Sequence, residues 1–142
     1  MKTFKLLLFA VAVALTAVSC SEDDAINVTG NTFETTYAKA TFAMDGMSTS
    51  IEYKTKDELI EGEVYFKVEF KENGDLYYYE IADDSWYKTG TYTQSGSEIT
   101  ITEGNESFKA TVDGSKIIVK QNIEDEEFPD LSGTMEIHLS KI

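Results

Sequence analysis

The fold of this chain is decided by the stretch Glu63-Val64-Tyr65-Phe66-Lys67-Val68-Glu69-Phe70. Every second side chain in it is apolar, and the side chains between them are acidic or basic, apart from one tyrosine. Strict alternation over eight residues is typical of a half-buried strand in an antiparallel sheet. The stretch therefore predicts a strand with one face in a core and the other face in water.

Turn signals on both sides extend this pattern along the chain. Asp45-Gly46, Asn73-Gly74 and Asp113-Gly114 are dipeptides that favour two-residue hairpin turns, since both central positions of a type I′ turn need a positive φ. Only residues 57–61 look helical. Between the turn signals we predict strands at about 36–44, 47–54, 63–70, 75–82, 86–93, 98–103, 107–112, 115–120 and 133–140.

The predicted fold is all-β, an antiparallel up-and-down meander of eight or nine strands. An open meander of this length would leave exposed edges, which closure into a barrel removes and which two packed sheets would partly shield. The pattern favours a β-barrel and leaves a two-sheet β-sandwich as the alternative. An eight-stranded barrel either fills with side chains or holds one small ligand. Phe42, Ile51, Phe66 and Phe70 are among the side chains expected to point inward.

A family resemblance supports the barrel. The succession of residues 66–75, 90–102 and 108–114 with a final strand ending at Lys141 resembles the lipocalin-like domains of small bacterial lipoproteins. The resemblance covers residues 64–139 and implies a lipocalin-like β-barrel that carries a ligand.

The first twenty residues have the pattern of an export signal. Lys2 and Lys5 precede an apolar run that is too short to cross a bilayer and long enough for a secretory signal peptide. Ala17-Val18-Ser19-Cys20 then resembles a bacterial lipobox, in which the cysteine is lipidated. We therefore expect a signal peptide at 1–19, the lipidated Cys20 with a flexible acidic tether over 20–34, and the barrel domain over 35–142. Lipidation also explains the single cysteine of the chain, which has no partner for a disulfide.

Charge narrows the set of partners. The chain has 26 acidic residues against 12 lysines and no arginine, for a formal charge of −14. Removing residues 1–19 takes away two lysines and no acid, so the mature charge is about −16. Such a surface disfavours nucleic acid, and attachment to a membrane is expected through the lipid on Cys20. Ser21-Glu22-Asp23-Asp24 resembles a short acidic surface-export tag, with a solvated tether as the alternative. We therefore expect a protein of the bacterial cell envelope that is anchored in the outer membrane, at the cell surface if the segment is such a tag; the sequence leaves the periplasmic face open.

Side chains for catalysis or metal binding are sparse. His138 is the single histidine, and alternation places it on the polar side of its strand. The segment 124–130 carries enough carboxylates to bind calcium, yet it lacks the spacing of a calcium loop, and its pattern favours a solvated acidic loop. We expect no enzymatic activity, no cofactor and no metal site.

Aromatic residues are the more informative group. Tyr77, Tyr79, Trp86 and Tyr87 fall on one predicted hairpin and, because neighbouring side chains of a strand point to opposite faces, Tyr77 and Tyr79 cannot share a face with Tyr78. Rings outside the core would bind a sugar or an apolar ligand, or would stabilise the sheet by cross-strand packing.

Two functions follow from these patterns. The first is a membrane-anchored, non-enzymatic binding module for a small apolar molecule or a glycan. The second is a structural or interaction protein of the cell envelope, with a filled barrel and no small ligand. A hollow interior would favour the first, and a filled one with an exposed apolar patch would favour the second.

Overall fold

A computed structural model describes residues 25–124, 127 and 130–142. The predicted signal peptide at 1–19, Cys20 and part of the acidic loop lie outside the described residues. Nine strands and one short helix follow one another along the chain. They are β1 (Asn31–Met44), β2 (Met47–Tyr53), α1 (Lys56–Glu61), β3 (Lys67–Phe70), β4 (Asp75–Glu80), β5 (Ser85–Ser95), β6 (Glu98–Glu103), β7 (Glu106–Asp113), β8 (Lys116–Glu124) and β9 (Ser132–Lys141).

Eight of the strands form a closed antiparallel barrel. Strands β3 to β9 pair each with the next, and β9 returns to β1 over a long ladder that runs from Phe33 opposite Lys141 to Ala43 opposite Ser132. The other edge of β1 is shared, because Asn31–Glu34 pair with β3 whereas Ala38–Met44 pair with β2. The predicted all-β, lipocalin-like barrel is confirmed, and β2 is an extra strand outside the closed ring.

The barrel has two ends that differ in how they are closed. The first end carries the turns before β4, β6 and β8 and the start of β1, and the second carries the hairpin turns β1–β2, β4–β5 and β6–β7. Residues 25–28 lie over the first end, where Val28 is completely buried. The sequence predicts a flexible tether up to residue 34. The structure corrects this boundary, because Val28 packs into the core and β1 begins at Asn31.

Helix α1 closes the gap where β2 leaves the ring. Thr55 accepts from the backbone N–H of Glu58 while the Glu58 carboxylate accepts from the backbone N–H of Thr55, a reciprocal cap that stabilises so short a helix. Leu59 from this helix is buried in the core. Its carbonyl accepts the N–H groups of Val64 and Tyr65, which removes both residues from the predicted strand 63–70.

Tyr65 differs from the alternation pattern for the same reason. The sequence places it on the polar face, whereas the structure buries it. Its hydroxyl donates to Glu34 Oε2 at 2.6 Å, and burial, followed by this hydrogen bond, raises the pKa of the phenol. The side chain therefore belongs to the core with a satisfied polar end.

Candidate functional site

The barrel interior is a packed core. The rings of Phe33 and Phe70 meet edge to face with centroids 5.6 Å apart, and Phe70 meets Tyr92 in the same way at 4.8 Å. Phe33, Phe70, Ile99 and Ile117 are 0–1% exposed. Aromatic pairs in this geometry fill the space between the walls and add stability beyond their buried area. The first end of the barrel, where these residues lie, thus holds side chains where a carrier would hold its ligand.

Polar contacts fix the segment that covers the first end. The Gln94 side chain binds this segment twice, because its Oε1 accepts from the N–H of Val28 at 2.9 Å and its Nε2 donates to the carbonyl of Ile26 at 2.7 Å. The Tyr92 hydroxyl donates to the carbonyl of Lys71 at 2.6 Å beside it. Residues 25–28 therefore cover the core at this end. Gln94 holds their backbone by hydrogen bonds, and the Val28 side chain is buried.

Large rings remain on the outside of the β4–β5 hairpin. Tyr79 pairs with Trp86 across the hairpin, and Tyr77 pairs with Lys88, so Tyr77, Tyr79 and Trp86 share the outer face of the sheet. Trp86 is 40% exposed. We call the surface formed by Tyr77, Tyr79, Trp86 and Lys67 the outer aromatic face.

Tyr87 does not belong to this face. It pairs with Tyr78, whose ring packs against the core, so both point to the opposite side of the sheet from Trp86. The physical reason is the alternation that separates Tyr77 from Tyr78, because it also separates Trp86 from its neighbour. The grouping of Tyr87 with the other three aromatic residues is corrected on this point.

Ring geometry and lysine side chains define the outer aromatic face. Tyr79 and Trp86 have centroids 5.3 Å apart with planes inclined at 53°. The ammonium of Lys67 lies 4.8 Å above the Tyr79 ring, within cation–π range. The Tyr79 hydroxyl donates to Asp84, and this hydrogen bond is the main cause that raises the pKa of the phenol. The hydroxyl is therefore fixed in direction, and the ring with it.

Charged groups continue along this face towards the first end of the barrel. Lys71 pairs with Glu69 at 2.7 Å, and Lys88 pairs with Asp75 at 2.8 Å. Within the described residues Lys67 has no carboxylate partner, so its ammonium contacts a ring alone. Beside Tyr77 lies an open groove of about 500 Å³, lined by Gly30, Glu69, Lys71, Glu72, Asn73 and Tyr77.

The position of Lys67 was missed from the sequence. It lies on β3, ten residues before Tyr77, and reaches the rings because β3 pairs with β4 so that Lys67 stands opposite Tyr79. A two-residue turn at Asn73-Gly74 would set Lys67 opposite Glu80. The turn instead has three residues, 72–74, between Lys71 and Asp75, and this sets Lys67 opposite Tyr79.

His138 is hydrogen bonded to a neighbouring carboxylate and packs against a tyrosine ring. Its Nε2 lies 2.7 Å from Glu136 Oε1, and its ring lies against Tyr37 with centroids 4.8 Å apart. The hydrogen bond from His138 is the largest cause that lowers the pKa of Glu136. In the part of the chain that the structure describes, no group of three or more metal-binding side chains comes together.

Comparison of the chain with known protein families, with curated proteins and with solved structures gives no match. Within the described residues, none of the helical structure has the length and apolar character needed to span a bilayer.

Proposed function

We propose that this chain is a lipid-anchored, non-enzymatic binding protein of the bacterial cell envelope that takes a glycan on its outer aromatic face. The observation that carries the proposal is the Tyr79–Trp86 pair, in which Trp86 is exposed and Lys67 lies above the half-buried tyrosine ring. These rings are outside the core, whose first end is filled by Phe33, Phe70 and Tyr92.

The chemistry of the face favours a sugar over a wholly apolar ligand. A pyranose ring offers C–H groups on its faces and hydroxyls at its rim, so it is bound by an aromatic surface with polar groups at the edge. Here Trp86 supplies the exposed ring, and Lys67, Asp84 and Lys88 supply donors and acceptors around it. An unpaired lysine further favours glycans that carry carboxylate or phosphate groups.

The anchor and the fold together orient this face. Cys20 precedes the first described residue, Ala25, by five positions, so the chain between them spans at most about 18 Å. A lipid on Cys20 would thus hold the first end of the barrel near the membrane. Trp86 and Tyr79 lie beside the hairpin turn of the second end. They would then face away from the bilayer, towards surface polysaccharide.

Fluorescence of Trp86 tests the glycan proposal directly, because it is the single tryptophan of the chain. The protein is titrated with neutral and acidic polysaccharides and with lipopolysaccharide fragments from a Gram-negative outer membrane. We expect a saturable emission shift with at least one of them, and about tenfold weaker binding in Tyr79→Ala and Lys67→Ala. Tyr87→Ala is the matched control, because Tyr87 lies on the same hairpin and faces the other way.

Two results would overturn the glycan proposal. One is a Trp86 emission spectrum that stays unchanged with every glycan tested, and the other is binding that Tyr87→Ala weakens as much as Tyr79→Ala does. The anchor is tested separately by growth with radiolabelled palmitate. The wild-type chain should incorporate label and Cys20→Ser should not, and label in that variant would contradict lipidation at this residue.

A second function, contact with another protein, is favoured by one observation. Strand β2 lies outside the closed ring, and its apolar side chains Met47 and Ile51 are exposed. An exposed apolar strand of this kind marks an interaction surface.

A further inference from the structure

Strand β2 has an open edge. It pairs with β1 on one side, and in the described part of the chain no strand pairs with its other side. Met47 is 75% exposed and Ile51 is 48% exposed, although alternation in the sequence predicts Ile51 in the core. The prediction for Ile51 was wrong because β2 diverges from the barrel, so its apolar face extends past the core.

The hairpin geometry shows which backbone groups are available at this edge. Asp45 and Gly46 form a two-residue turn with positive φ values of 51° and 78°, so Met44 and Met47 form the closing hydrogen-bonded pair. In an antiparallel ladder the backbone groups of successive residues point to alternate sides. The N–H and C=O groups of Ser48, Ser50 and Glu52 therefore point to the open edge.

This edge also lacks the usual protection. Soluble proteins block an exposed strand edge with lysine, proline or a bulge. Residues 47–51 read Met-Ser-Thr-Ser-Ile, without a charge in a chain of net charge −14, and the one proline of the chain is Pro129. The pairing of β2 with β1 is regular from Ala38 to Met44. The edge is thus straight and open to another strand, and Glu52, paired with Lys39 and Lys54, is its one charged residue.

We propose that β2 pairs antiparallel with β2 of a second copy of this chain, about a twofold axis at Ser50. This register joins Ser50 to Ser50 of the second copy and Ser48 to Glu52 of the second copy. All six open N–H and C=O groups on each copy then gain partners. It also sets Met47 beside Tyr53, and Thr49 beside Ile51, on one apolar face.

A second copy fits this edge because the strand is complementary to itself. In the proposed register no two like charges lie opposite each other, since Glu52 faces a serine, and the exposed apolar side chains of the two strands meet on the same side. Isologous pairing of this kind closes at two copies and leaves no further edge. Anchoring of both copies in one membrane, which rests on the proposed lipidation of Cys20, raises their effective concentration.

Cysteine scanning of the full chain in its membrane tests the register. Two Ser50 Cα atoms in a hydrogen-bonded pair lie about 5.5 Å apart, within the range of roughly 4.4–6.8 Å that a disulfide spans. Two Ser48 Cα atoms would lie about 14 Å apart, since four residues at about 3.4 Å separate them along the strand. Under mild oxidation Ser50→Cys should give a covalent dimer and Ser48→Cys should not. The wild-type chain, oxidised in parallel, shows whether any disulfide forms through Cys20.

Proline at Ser50 provides a second measurement. Because the Ser50 N–H points away from β1, Ser50→Pro removes an open-edge donor and spares the β1–β2 ladder. We expect the detergent-extracted wild type to have twice the chain mass by light scattering, and the variant to have the single mass with an unchanged circular dichroism spectrum.

Three outcomes would overturn the β2–β2 dimer. They are a single chain mass for the wild type, equal bridging at Ser48→Cys and Ser50→Cys, and a dimer that persists in a folded Ser50→Pro. If Ser50→Pro fails to fold, the cysteine pair decides alone. Glycan binding on β3–β5 uses other strands, so failure of the dimer leaves the fluorescence titration unaffected and the two proposals fail separately.

Discussion

Removal of the Phe70 ring tests whether the first end of the barrel is filled. Phe70 is 1% exposed and lies between Phe33 and Tyr92, edge to face with both. Phe70→Ala removes the ring from a site whose neighbours are themselves fixed, because the Tyr92 hydroxyl is hydrogen bonded to the Lys71 carbonyl. Truncation of a buried phenylalanine costs about 3–5 kcal/mol. The two ring pairs place this site in the upper part of that range.

Equilibrium unfolding in urea, followed by circular dichroism, measures this loss. Trp86→Ala is the control, because it removes a larger ring from the outer face and should cost about 1 kcal/mol or less. We expect Phe70→Ala to lose several times more free energy of unfolding than Trp86→Ala. A loss below about 1 kcal/mol for Phe70→Ala would refute the reasoning, since it would mean that the ring borders free space.

Three further predictions concern local features. Gly90→Ala should destabilise the domain by about 1–3 kcal/mol in urea unfolding, because a Cβ there would lie 2.1 Å from the carbonyl oxygen of Thr102; unchanged stability would contradict the close β5–β6 approach. Burial raises the pKa of Glu103 above its ordinary value of 4.5, so the charged carboxylate lowers the free energy of unfolding as the pH rises above that value. Glu103→Gln should therefore raise the melting temperature more at pH 7 than at pH 4. An equal gain at both pH values would contradict this reasoning. Thr55→Ala removes the N-cap of α1 and should cost about 0.5–2 kcal/mol, against little change for exposed Lys56→Ala as control.

Local patterns predicted most of the strands because β-hairpins are specified by neighbours in sequence. Asp45-Gly46 forms the predicted two-residue turn with both φ values positive. At Asn73-Gly74 and Asp113-Gly114 only the glycine has a positive φ, and Asp113 is the last residue of β7, yet both dipeptides mark the point where one strand gives way to the next. Period-two alternation then set the inward face of β6 and β8, where Ile99 and Ile117 are buried. Turn chemistry and side-chain period require no knowledge of distant residues.

Features that depend on distant residues were missed. Val28 and Phe33 lie in a polar stretch that resembles a tether. They are buried because Gln94 of β5 binds the Val28 backbone and Phe70 of the neighbouring strand β3 packs against Phe33. The departure of β2 from the ring depends on how β1 divides its edge between two strands, which no local pattern encodes. Pairings over such long separations are set by the packing of the whole core.

The candidate site was predicted in part. Alternation placed Tyr77 and Tyr79 together outside the core. Trp86 was a candidate from the same predicted hairpin, and cross-strand pairing with Tyr79 puts it on their face. Lys67 required the register of a third strand, and Tyr87 faces away because adjacent residues of one strand cannot share a face. The sequence thus predicted an aromatic hairpin, whereas the strand pairing was needed to show which of its side chains share one face.

The measurement that tests the central claim most directly is an amide NMR titration of the folded domain with the glycan that shifts Trp86 fluorescence. The account predicts that chemical shifts change at Tyr77, Tyr79, Trp86 and Lys67 and stay constant at the buried Ile99 and Ile117 of the interior. Shifts confined to the interior amides would show a ligand inside the barrel and would contradict a filled core with an external site.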